Sequence, residues 1–353
     1  EQRAILQHSL IRSHAASTGA EVEREVIRAM MLLRLKTMAS GHTGVRREVV
    51  LGYAAMLNAG ITPITGEYGS LGCSGDLAPL AHAALALTGE GIVRDKAGTQ
   101  MSAADALAAA GLEPITLREK EGLALINGTD GMLGQLILAL TDLDTLVTTA
   151  DLTTAMTVQA LCGIDAVFAP DLQALRPHEG QKLSAANIAA LLKDSPLIQA
   201  GKSEESKRVQ DAYSLRCAPQ VTGAVRDTMA HAAHVAQVEL VSAIDNPAVT
   251  DDLRVESNGN FHGAPVAYVL DFLAIAVADL ASMSERRTDR MLDPARSRGL
   301  NAFLANDPGV DSGYMIAQYT QASIVSELKR LAVPASADSI PTSAMQEDHV
   351  SLG

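Results

Sequence analysis

Four long stretches of the chain carry almost no helix breaker: residues 129–161, 219–242, 263–292 and 312–331. Within the first, Met132, Leu136, Leu140, Leu143 and Val147 recur every three to four residues, the stripe of one helix face. Such rods well exceed the mean globular helix of about 11–12 residues, so they predict a long helical bundle. Pro219 and Pro265 stand near the starts of two rods, where a missing N–H costs nothing. Shorter amphipathic segments are predicted over 22–38, ended by Ser40-Gly41-His42-Thr43-Gly44, and over 46–58, ended by Gly60. No internal period of repeat-array length is present, which argues against a solenoid. The fold class expected is therefore mainly all-α.

Polar and glycine-rich clusters fall between the rods, at 60–75, 127–129, 165–180, 246–247, 258–260 and 306–313. In a bundle these are the places where chemistry sits. No segment has linker composition, so residues 1–353 read as a single domain. A hydrophobic content of 47% excludes disorder, and the absence of Trp with only 3% aromatics demands an aliphatic core. The net charge of −13 excludes a general nucleic-acid binder and disfavours an anionic membrane surface. No run of about 18 uncharged apolar residues is found, so no membrane span is expected. Residues 1–20 place charges among the apolar positions and do not resemble a signal peptide. Cys73, Cys162 and Cys217 are odd in number, scattered and without CxxC spacing, which predicts neither disulfides nor zinc and favours the cytoplasm. His231 and His234 lie three apart without a nearby acid cluster and read as helix-surface residues, so no metal site is expected.

The stretch Gly69-Ser70-Leu71-Gly72-Cys73-Ser74-Gly75-Asp76 precedes a predicted helix at Leu77-Ala78-Pro79-Leu80. It has no Lys for a phosphate loop. Its glycines run GxxGxxG with no strand expected before them, and Gly75 comes one place too early for a nucleophile elbow. Its plainest reading is a turn capped by Ser74 or Asp76. A chemical reading is also available. In an X-Ser-Gly tripeptide held in a strained bend, the Gly nitrogen can attack the carbonyl carbon of X, and loss of two waters leaves 4-methylideneimidazole-5-one (MIO), an electrophile no ordinary side chain supplies. Glycine is required for its unhindered nitrogen and serine for its departing hydroxyl.

The block Gly-Ser-Leu-Gly-Cys-Ser-Gly-Asp-Leu-Ala-Pro-Leu-Ala-His, residues 69–82, resembles the signature of the aromatic amino acid ammonia-lyases, and most closely their histidine branch. The family tripeptide is Ala-Ser-Gly; Cys73 departs from it but contributes mainly backbone to the ring. Further blocks resemble the family along the whole chain. They are Asn127-Gly128-Thr129, followed by Asp130 where the family has Gln; residues 208–216; Gly259-Asn260-Phe261-His262-Gly263; Ser284-Glu285-Arg286-Arg287; and 346–353. The resemblance implies the long-helix bundle of the fumarase/aspartase-like superfamily, with an MIO-bearing part at 1–125 and the central bundle at 126–353. It also implies an MIO formed from Cys73-Ser74-Gly75 with no external cofactor, and a homotetramer. Because family chains are longer, this one is expected to be a fragment, lacking an N-terminal loop whose tyrosine is the family's β-proton base and a C-terminal helical cap.

Two positions select the histidine branch. Ser13-His14 occupies the family's selectivity dipeptide, apolar in phenylalanine enzymes and His-Leu in tyrosine enzymes, and Glu347 is an acid the other branches lack. An imidazole offers two nitrogens, which His14 and Glu347 can hold, whereas a phenyl ring would leave Glu347 desolvated and unpaired. The resemblance further assigns Arg216 as the substrate carboxylate clamp and Tyr213 to proton transfer or to holding the prosthetic ring. Asn127 and Gln210 are assigned hydrogen bonds to the prosthetic carbonyl and the substrate amine, Phe261 packing against the ring, and Asp76 assistance in ring closure. The implied reaction is elimination of ammonia from L-histidine to give trans-urocanate. The alternatives are a phenylalanine or tyrosine ammonia-lyase, an aminomutase of the same family, or an inactive truncated helical scaffold.

Overall fold

Prolines sit at the second position of the helices Ala218–Val241 and Ala264–Leu292, where the ring fits the first turn. Together with Asp130–Ala160 and Met315–Leu331 they are the predicted rods, displaced by no more than a few residues at their ends. The computed structural model describes residues 2–72, 75–203 and 208–353. It is mainly helical, and the chain divides into two compact units, each assembled from segments remote in sequence.

The first unit comprises Glu1–Ala139, His234–Leu270 and Pro334–Gly353. Its core gathers Met30, Met31 and Met38 from the helix Arg24–Ala39, Tyr53 and Met56 from Arg47–Asn58, and Leu80 and Leu87 from Leu77–Leu87. The helix Leu77–Leu87 is buried on nearly every side. Alanines at 78, 81, 83, 84 and 86 let its neighbours approach, and methionines fill the irregular gaps around it. One expectation is corrected here. A strand, Gly66–Tyr68, does precede the 69–76 loop and pairs antiparallel with Thr18–Glu21. Three residues are too few for a period of two to register in the sequence. The pairing depends on Gly66, where a Cβ would stand 2.3 Å from the Thr18 carbonyl oxygen. A second small sheet joins Thr62–Pro63, Ile92–Arg94 and Gln100–Ser102, all antiparallel.

The second unit comprises Leu140–Ala233 and Asp271–Val333. One apolar cluster packs Val158, Leu161, Phe168, Ile188, Leu192 and Leu215, and another Val147, Ala150, Val225 and Leu280. Between them the buried Asp151 accepts from Arg226 at 2.8 Å and from Asn187 at 2.9 Å, so its charge is paired rather than stranded.

Two helical stretches, 121–160 and 264–292, are long and apolar enough to cross a bilayer by length and composition, contrary to the reading of the sequence. The apolar window of the first is 67% buried within the protein, as in a core helix; that of the second is 33% buried.

Candidate active site

In the first unit, backbone meets backbone around the 69–76 loop. Gly72 offers its carbonyl to the N–H of Gly263 at 2.7 Å, and the N–H of Asp76 donates to the carbonyl of Gly128 at 2.6 Å. Side chains would not fit. A Cβ on Gly72 would lie 2.2 Å from the Gly353 carbonyl oxygen, one on Gly263 2.4 Å from that of Gly72, and one on Gly75 1.7 Å from that of Gly128. Gly75 also has φ +68°, a left-handed conformation open to glycine at little cost. Thus the walls of a tight cradle come from three other family-like blocks, at 127–129, 259–263 and 346–353, closing on the residues that flank Cys73 and Ser74. Those two residues themselves lie outside the described set.

Asp76 does not cap its own helix, Leu77–Leu87. Its carboxylate accepts instead from the N–H groups of Gly131 (2.6 Å) and Met132 (3.0 Å), at the start of Asp130–Ala160, and from the Ser70 hydroxyl at 2.7 Å. This cross-capping suits the positive end of a long helix. Burial nonetheless pushes the Asp76 carboxyl up to about 6, against the downward pull of those three hydrogen bonds.

Asn127, buried at the end of the helix Glu121–Ile126, donates its side-chain amide to the Asn246 carbonyl at 2.9 Å. Its own carbonyl accepts from Arg34 at 2.8 Å. Phe261 is half-buried beside His262, whose ring stacks on that of His349, with centroids 5.8 Å apart and planes within 8°. The stack ties the 259–263 block to the 346–353 block. His14 ends the helix Gln2–His14, and its Nδ1 donates to the Leu10 carbonyl at 2.8 Å. Glu347 is half-buried, with the Thr342 hydroxyl 3.4 Å from its carboxylate.

The remaining predicted residues belong to the second unit. Tyr213 and Arg216 lie on the short helix Tyr213–Arg216, and the guanidinium carbon stands 4.7 Å from the centroid of the Tyr213 ring. Arg216 is steadied by a 2.9 Å bond from Nε to the Asp211 carbonyl, while Tyr213 is 70% exposed and Gln210 is exposed. Behind them, the buried Arg287 donates to the Ser214 carbonyl at 3.4 Å, and burial lowers it to about 10.

Three structural anchors were not singled out from the sequence. Asp211 is buried, accepts from the Ile164 N–H at 2.6 Å and pairs with Arg208 at 2.8 Å, fixing the base of the 208–216 block. Glu121 is buried and takes both Arg46 Nε (2.7 Å) and Nη2 (2.8 Å). Arg34 is wholly buried and faces Asp130 at 3.3 Å. A signal for Arg34 exists in the sequence: it is a lone cation inside the apolar run Met30-Met31-Leu32-Leu33-Arg34-Leu35.

The sequence model of the aromatic amino acid lyases matches residues 1–353. A histidine ammonia-lyase of Streptomyces coelicolor is 67% identical over 353 residues, covering 100% of this chain and 69% of that protein. Among solved structures, histidine ammonia-lyase from Trypanosoma cruzi superposes with a TM-score of 0.90 at 42% identity, over 99% of this chain and 66% of that one. A phenylalanine aminomutase from Pantoea agglomerans gives 0.93 at 35% identity, over 100% of this chain and 71% of that one. The chain thus spans about two thirds of the length of the relatives it matches. With the cradle built from the blocks that carry the likeness, the chain belongs to the aromatic amino acid lyase family.

Proposed function

We propose that this chain carries the core of a histidine ammonia-lyase, a carbon–nitrogen lyase that eliminates ammonia from L-histidine to give trans-urocanate. The observation that carries the reading is the glycine cradle at 72, 75 and 263, where a Cβ would run into a backbone carbonyl oxygen around the residues that flank Cys73 and Ser74. The identity of 67% to a histidine ammonia-lyase supports the choice of substrate.

The cradle fits an MIO ring formed from that tripeptide. When present, MIO supplies an electrophilic methylidene that makes the substrate amine a better leaving group. The chain's own residues supply the rest. Arg216 takes the substrate carboxylate with its planar fork, and the Tyr213 ring beneath holds that fork in orientation. Tyr213 Oη, on the exposed side of the short helix, carries a proton. His14 Nε2 accepts from one imidazole nitrogen and Glu347 pairs with the other. Asn127, held at both its amide and its carbonyl, and Phe261 would hold the ring, and Gln210 would bond to the substrate amine.

The proposed assembly is a homotetramer. Supporting it are apolar residues left exposed on the rods: Phe272 and Ile275 on Ala264–Leu292, and Ile316, Tyr319 and Ile324 on Met315–Leu331. The proposed compartment is the cytoplasm, in keeping with the scattered cysteines.

The test is Ser74→Ala with a substrate screen. The unmodified chain should have lost two waters from the 73–75 peptide by mass and should release ultraviolet-absorbing urocanate from histidine. Ser74→Ala should keep its helical circular dichroism and lose nearly all turnover. A fully active Ser74→Ala, or cinnamate from phenylalanine in place of urocanate, would overturn the proposal.

A further inference from the structure

Asp130 stands where the family block has Gln, and it lies buried at the start of the helix Asp130–Ala160. A carboxylate placed there gains from the helix dipole, but burial lifts its pKa above the ordinary value, so it needs a cation. Arg34 is that cation. Its Nε stands 3.3 Å from Asp130 Oδ2, while its other nitrogens reach backbone carbonyls from two separate segments. Nη1 donates to Asn127 at 2.8 Å and Ala124 at 3.3 Å, and Nη2 donates to Ile244 at 2.7 Å. A flexible ammonium cannot reproduce this planar reach. The surrounding charges are Lys36 and Glu239, with Asp245 paired to Lys120 at 2.5 Å, and the wholly buried Tyr53 hydroxyl feels both Asp130 and Arg34.

What the pair touches gives it a purpose. A Cβ on Gly128 would meet Asp130 Oδ2 at 2.3 Å and both terminal nitrogens of Arg34 at 2.9 Å, so the ion pair fills the space behind that residue. On its other side the Gly128 carbonyl takes the Asp76 N–H and abuts Gly75 in its left-handed turn. The two N–H groups after Asp130, those of Gly131 and Met132, hold the Asp76 carboxylate. Gly75 and Asp76 therefore bend over a segment that Arg34 and Asp130 support from behind.

We propose that Arg34 and Asp130 are a positioning pair for ring closure: they hold Asn127-Gly128 against Gly75 and Asp76 so that the tripeptide bends far enough to cyclise, and they do not serve substrate binding. The inference rests on the functional reading above. In the step they serve, the Gly75 nitrogen bonds to the Cys73 carbonyl carbon. The carbonyl oxygen leaves as water with the amide protons of Gly75 and Ser74. The Ser74 hydroxyl then leaves as a second water with the Ser74 α-proton, which creates the exocyclic double bond. No oxidant or reductant is consumed.

The test uses the full chain, unaltered and as Arg34→Lys and Asp130→Asn, each checked for native circular dichroism. Mass spectrometry of the 73–75 peptide gives the closed fraction, and steady-state kinetics gives kcat and KM for histidine. Both variants are expected to accumulate uncyclised peptide, with kcat falling about tenfold or more in step with the closed fraction and KM within about twofold. Complete closure in a folded variant overturns the proposal, as does a KM shift at unchanged closure, which would mark a merely structural or binding role. If Arg34→Lys does not fold, Asp130→Asn decides alone, since it keeps the shape of the side chain and all three Arg34 bonds to carbonyls. An uncyclised unaltered chain would instead refute the functional reading.

Discussion

Gly263 donates its backbone N–H to the carbonyl of Gly72 at 2.7 Å, with no side chain on either residue to hold them apart. The φ of Gly263 is not positive, so what this position requires is space alone. In Gly263→Ala the new methyl would stand 2.4 Å from the Gly72 carbonyl oxygen and 2.8 Å from Met132 Sδ, and backbone on the near side cannot yield. The loop should be displaced, with kcat reduced roughly 10²-fold in steady-state assays, as sub-ångström errors at a reacting centre do. Gly259→Ala is the control, for a Cβ there meets nothing within 4 Å and activity should not change.

Asp76 predicts a pH signature in stability. Its folded value of about 6 lies above its ordinary 3.8, so between the two the folded state binds the extra proton. The stabilisation is complete below about pH 4 and is lost as pH rises through 6, a change of about 3 kcal/mol. Asp130, Asp245 and Glu239 are displaced in the same direction, so the contribution of Asp76 must be isolated by difference. Urea denaturation of the unaltered chain and Asp76→Asn at pH 4 and 7 should show the unaltered chain losing more stability on going to pH 7. Parallel changes in the two proteins would refute this.

Arg216 and Tyr213 should separate in kinetics. Arg216→Lys forfeits the fork for the substrate carboxylate and is expected to raise KM about tenfold or more. Tyr213→Phe keeps the ring under the guanidinium and removes only the hydroxyl, so KM should hold while kcat falls by about 10²-fold or more. Loss of KM alone in both would reassign Tyr213 to binding.

Phe272 is 49% exposed on a rod whose apolar window is mostly uncovered. Phe272→Asp should place a charge in the proposed interface between copies and shift sedimentation toward smaller species. An unchanged sedimentation profile would place the interface elsewhere.

The rods could be read from the sequence because one helix face repeats over many turns, and averaging over 20 or more residues suppresses the noise of any single position. The cradle was half visible: Gly72, Gly75, Asn127 and Phe261 drew notice as members of blocks, but which block would touch which is a property of the packed chain. Asp76 shows the limit. Local rules make it the cap of the helix that follows it, yet its carboxylate serves a helix that begins more than fifty residues later. The Gly66–Tyr68 strand was missed because its pairing is set by close approach at Gly66 and not by any alternation of apolar residues. Arg34 stands out in the sequence as a cation in an apolar run and Asp130 as a departure from the family's Gln, but only the packed chain shows them buried against one another as a support.

The cradle also orders events in time. Residue 72 leaves the ribosome long before residues 263 and 353, which form two of its walls, a gap on the order of tens of seconds at ~5–20 residues per second. Until those walls arrive, nothing compresses the loop from that side. Under the proposed function, ring closure would wait until the distant segments have docked, and a chain stalled midway through synthesis would be spared a reactive methylidene on an unfolded backbone. In this sense the glycines act as a checkpoint, coupling chemical competence to the completion of the fold.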